Sequence, residues 1–106
     1  MHELDLEEAQ AGTFRPWVGT SFAFGPEEGP VLDLVLTDVV PHATAHTSGF
    51  TLVFQGPPGS PLPQGTHRVR HRDLGAAWIF VVPVGPGTHE AVFNRLATAS
   101  PLPGRP

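Results

Sequence analysis

Apolar residues in this chain recur at every second position within short blocks, and Pro or Gly closes each block. Side chains of an extended strand alternate between its two faces, so this period specifies strands with one face turned to a core. Phe22 and Phe24 alternate with Ser21 and Ala23, which predicts a first strand over 20–25. In VLDLVLTDVV (31–40), Leu32, Leu34 and Leu36 share one face, Val31, Asp33, Val35 and Thr37 the other, and Pro41 ends the strand. Phe50, Leu52 and Phe54 then repeat against Thr51, Val53 and Gln55. HRVRHR (67–72) and HEAVFNRL (89–96) add two more strands. AAWIFVV (76–82) is apolar on both faces and reads as a central strand buried on two sides.

The intervals fit this reading. HATAHTSG is a polar connection, and GPPGSPLPQG (56–65) cannot be regular structure, because Pro lacks the amide proton a ladder requires. LDLEEAQA (4–11) joins good helix formers to early acidic residues and predicts a short helix ending near Gly12. Phe14 and Trp17 follow as a plug on the core. The expected fold is mainly all-β, a small six-stranded antiparallel barrel or sandwich with the short N-terminal helix over one open end. Residues 1–96 form a single β-domain, and 97–106 are a Pro-rich C-terminal tail.

Composition narrows the functional classes. At 106 residues, 40% hydrophobic, the chain holds enough apolar surface for one core without metal or disulfide staples, and it has no Cys to make them. A net charge of −4 argues against general nucleic-acid binding, which needs a basic excess. The apolar run 76–82 is too short to span a bilayer, so no membrane role is expected. MHELDLEEAQ is acidic where a secretory leader would be basic and then apolar, so the expectation is cytoplasmic synthesis without a signal peptide.

FRPWVGTSF (14–22), FTLVFQGP (50–57), LPQGTHRVRH (62–71), LG (74–75), FVVPVGP (80–86) and HEAVFN (89–94) occur in this order and spacing. Together they resemble a family of bacterial proteins of about one hundred residues, a domain of unknown function. The resemblance runs from about Leu6 to Asn94. It implies a small all-β domain with no catalytic residues to carry over. It also implies, through members encoded near proteins that resemble phage-tail collar or fibre components, a part in a tail-like or extracellular assembly.

Reactive chemistry finds little support. His42 and His46 are four apart, as are His67 and His71, a spacing that makes a metal pair on a helix. On a strand the same separation spans about 13 Å, so His67 and His71 fail, and His42 and His46 have no acidic or Cys neighbour. Solvent-facing or edge-strand histidine is the expectation. No G-x-S-x-G elbow, phosphate loop or cleft-forming carboxylate pair is present, so no catalytic residue, metal site or cofactor is assigned.

Arg68, Arg70 and Arg72 share one face of a strand, with Val69 turned inward between them and His67 and His71 flanking it. This is a candidate stripe for gripping an acidic partner. It could equally be a polar outer face paired with an acid such as Glu90, or an edge charged against aggregation. The expected function is a non-catalytic structural or protein-interaction module that docks on a larger assembly or self-associates. The alternative is a small-ligand-binding barrel lined by Trp17, Trp78 and phenylalanines, and the third reading is a small enzyme. An uncovered apolar patch would favour the first.

Overall fold

The computed structural model describes residues 2–26, 28–59 and 62–96, the last two by backbone alone; the 97–106 tail lies outside the described residues. Six strands, β1 (Ser21–Phe24), β2 (Leu32–Ala43), β3 (Thr47–Gln55), β4 (Gly65–His71), β5 (Gly75–Gly85) and β6 (Thr88–Leu96), close into a barrel in the order β1-β2-β3-β6-β5-β4. Every pair is antiparallel. Closure removes exposed sheet edges, which decides the barrel over the open sandwich.

The alternation read from the sequence is the alternation of burial. Phe22, Phe24, Leu34, Leu36, Phe50, Leu52 and Phe54 all point inward and are buried. Phe22 and Phe24 meet Phe54 edge-on at ring-centroid distances of 5.3 and 5.0 Å, the packing the aromatic quadrupole favours. In β2 a bulge between Leu36 and Asp38 lets Thr37 and Asp38 both face outward, after which Val39 returns to the core. The Asp38 carboxylate accepts the Val39 N–H at 2.8 Å and fixes the kink.

Three boundaries differ from expectation. Pro41 does not stop β2, which continues to Ala43 and pairs Pro41 with Phe50 before a tight turn at 44–46. Residues 4–10 are not helical; the helix α1 is Ala11–Phe14, followed by a 3-10 turn at Arg15–Trp17. Residues 2–4 are instead extended beside β5, where Leu4 N–H donates to the Ala76 carbonyl (2.7 Å) and Ala76 N–H to the His2 carbonyl (2.9 Å). Helix propensity, a few tenths of a kcal/mol per residue, is overridden by those backbone bonds and by packing of Leu4 and Leu6 on the core.

The third difference concerns β5. Its inward residues Ala77, Ile79 and Val81 are buried, but Trp78 and Phe80 are 60% and 52% exposed. The strand is therefore covered on one face only, because α1 packs elsewhere, against β2 and β3.

Both ends of the barrel are closed. Phe14 is fully buried and stacks near Phe50 and Phe93 at one end, as a plug. At the other, Leu62 is buried in the core, and its carbonyl accepts from the buried His89 Nε2 at 3.0 Å.

Candidate interaction surface

Strand β4 carries the cationic stripe as alternation requires. Arg68 and Arg70 face outward, Val69 is buried between them, and Arg72 lies just past the strand in the turn to β5. The three guanidinium groups do not act as a unit. Arg68 donates two hydrogen bonds to the Glu3 carboxylate, at 2.7 and 2.9 Å. The partner is thus the N-terminal segment rather than Glu90. Those bonds hold the Glu3 carboxyl below its ordinary value of 4.5, with burial working the other way and the Arg68 charge adding to the depression. Arg70 reaches the Pro26 carbonyl at 3.4 Å, and its buried Nη1 meets no partner among the described residues. Arg72 is exposed.

The two flanking histidines part company. His67 is half-buried, and its Nε2 lies 2.8 Å from the Pro63 carbonyl, an acceptor, so that nitrogen carries the proton. His71 is not solvent-facing: it is 3% exposed, packed between Phe22 and Trp17 with ring centroids 4.4 and 5.2 Å away. Its Nδ1 accepts the N–H groups of Asp73 and Leu74, at 3.1 and 3.2 Å. Nε2 must then be the protonated nitrogen of a neutral ring. It donates to Thr20 Oγ1 at 2.9 Å, and that hydroxyl donates to the Trp17 carbonyl at 2.6 Å. Burial pushes the imidazole below its ordinary value of 6.5, opposed by Asp73 and helped by Arg72. His71 therefore ties the plug to the turn after β4 and has no free face for a ligand.

His42 sits in β2 and His46 in the following turn; both are exposed. Among the described residues no three His, Cys, Asp or Glu side chains gather as a metal site, and no helix is long and apolar enough to cross a membrane. The interior is filled largely by phenylalanine and leucine, and among the described residues one open depression is bordered by Glu3, Pro26, Arg68 and Trp78 and another by the N-terminal segment.

The outer face of β5 is apolar. Trp78, Phe80 and Val84 project from β5 at alternate positions with the half-buried Val82 among them, and Val92 projects from β6. Val82 pairs with Glu90, so Phe80 and Val92 lie just beyond the last β5–β6 pair on their respective strands. Arg68 opposes Trp78 in the β4–β5 register, and its guanidinium carbon lies 5.4 Å from the indole centroid. The stripe thus contributes Arg68 to an aromatic patch, with Glu3 holding the guanidinium in place. On the sequence alone, 76–82 is expected to be buried on both sides and Trp78 to sit in the lining of a ligand-binding barrel; the structure turns Trp78 outward. Alternation could not show that the face is uncovered.

A closed six-stranded barrel whose interior is filled by a hydrophobic core and whose β5 carries exposed aromatics on its outer face is a small all-β domain. Residues 9–93 match the family model described as Domain of unknown function (DUF6916), and the chain belongs to that family. No curated protein and no solved structure matches it.

Proposed function

We propose that this domain is a non-catalytic protein-interaction module whose contact surface is the outer face of β5 and β6. The observation that carries the reading is the exposure of Trp78 and Phe80, 60% and 52%, beside Val84, Val92 and Arg68. Exposed aromatic and apolar side chains in one contiguous row mark association surfaces, and Trp and Arg are enriched among the residues that dominate binding energy. Covering each aromatic contributes about 1.5–3 kcal/mol by the usual area relation. A protein partner or a second copy is the occupant, and the setting we propose is an accessory position in a phage-tail-like or fibre assembly, reached from a chain made in the cytoplasm. The packed interior and open depressions support this reading over the small-ligand barrel.

The test is incorporation. Wild-type chain and the double variant Trp78→Ser, Phe80→Ser are expressed in the native host, and particles are sedimented. Wild type is expected in the particle fraction, and the folded double variant at its free mass of 11.3 kDa. Equal distribution of the two contradicts the proposal. A thermal-shift screen separates the ligand reading, since a true ligand raises the melting temperature by mass action.

A further inference from the structure

The barrel is closed, but one seam is incomplete. Recorded pairing between β5 and β6 spans only Val82–Gly85 and Thr88–Glu90. Below it, Ala76–Val81 pair with β4 alone and Ala91–Leu96 with β3 alone. Within a strand, a residue's N–H and C=O point to the same side, so the Ala76 groups bonded to His2 and Leu4 face away from β4, toward β6. Residues 2–4 run along the free side of β5 in that seam as a strap. Leu6 and Glu7, in the turn that follows, share a surface depression with Phe93 and Asn94 of β6.

The seat is built for this strap. Gly75, at φ +110°, leaves room for the His2 carbonyl, which an added Cβ would meet at 2.6 Å. Arg68 clamps Glu3 with two bonds, and Leu4 and Leu6 pack on the core. Yet the strap is joined to the barrel through a turn at 5–8 whose Asp5, Glu7 and Glu8 are exposed, and strap and turn lie outside the residues 9–93 that match the family, whereas Arg68 and Gly75 lie within them.

We propose that the strap exchanges between two copies of this chain, each placing residues 2–4 in the other's β5–β6 seam, with the 5–8 turn as the hinge. This deepens the interaction reading above and rests on it for the occupant being a protein. Identity of sequence makes the second copy's strap fit the seam as well as the chain's own, so exchange remakes the strap's bonds to Ala76 and Arg68 and gives up only the local bonds of the 5–8 turn. The Trp78 and Phe80 face adjoins the strap at Glu3 and Trp78, and exchange brings a second barrel beside it. Strand addition to an incomplete edge is an established mode of protein association.

Charge reversal tests it. Glu3→Arg alone places Arg against Arg68, and Arg68→Glu alone places Glu against Glu3, so neither variant can seat its own strap or that of an identical copy. Mixed in equal amounts, the two variants can complete both seams by exchange. Each alone is expected to sediment at 11.3 kDa and the mixture at twice that mass. The double variant Glu3→Arg, Arg68→Glu serves as the folding control. If folded variants stay monomeric when mixed, the proposal is overturned. Should a single variant fail to fold, the wild type decides: isotope-labelled and unlabelled chains refolded together at millimolar concentration are expected to show a Leu4–Ala76 contact between chains. A dimer in which that contact stays within one chain, and which Trp78→Ser, Phe80→Ser dissolves, overturns strap exchange and leaves the apolar-face reading standing.

Discussion

His71 shows how little of a residue's role its spacing reveals. Its separation from His67 excludes a shared metal, but only the fold shows that the ring is buried and bonded at both nitrogens. Thr20→Val removes the acceptor of the Nε2 proton and leaves that donor buried, at a cost of about 1–3 kcal/mol measured by urea unfolding. The pH dependence has a definite sign. The folded-state value is depressed, so the neutral ring's contribution is fully present above about 6.5 and is lost as pH falls from there through the lower folded value. Stability is expected to decline from pH 7.5 to 5.5, and His71→Gln to flatten that decline; a rise on acidification contradicts the assignment. Gly49 is a second such residue. A Cβ there would collide with the Phe93 carbonyl oxygen across the β3–β6 ladder, where Phe50 and Phe93 stack at 4.8 Å. Gly49→Ala is expected to cost about 1–3 kcal/mol as an overpacking change, with ring-current shifts at Phe50 reporting the loosened stack. No pattern in the sequence separates this glycine from a turn glycine, because its constraint is a neighbour 44 positions away.

At the scale of the element, alternation made β1, β2, β3, β4 and β6 legible, since each carries one apolar and one more polar face. It misled at β5, where an apolar outer face left uncovered has the same composition as one covered by a helix. It also failed at the strap, where Leu4 and Leu6 alternate as a strand does but Glu and Ala raise helix propensity. The strap's clamp has its own pH dependence. Glu3 is depressed by Arg68, so the contact is present above the ordinary carboxylate value of 4.5 and is lost as pH falls through the folded one. The Leu4 methyl resonances are expected to shift toward random-coil positions on acidification below pH 4.5, and in Arg68→Gln to occupy those positions already at neutral pH. Leu4 resonances unmoved by Arg68→Gln would show that the ion pair does not hold the strap.

At the scale of the whole molecule, a filled core, two plugged ends and one bare face divide the labour between fold and function. The candidate stripe was legible as a face, but its meaning was not: Arg68 is committed to Glu3 and Trp78, Arg72 lies off the strand, and His71 belongs to the core. What the chain offers a partner is aromatic, with one oriented guanidinium, and the polar outer residues of β2 and β3 offer little by comparison. Hydroxyl-radical footprinting reads this directly, because it oxidises exposed indole and phenyl rings in place. In the isolated chain Trp78 and Phe80 are expected to be heavily oxidised while Phe22, Phe24 and Phe54 are spared. In particles from the native host both are expected to be protected, and equal oxidation of Trp78 and Phe80 in the two samples would contradict the assignment of β5 as the contact surface.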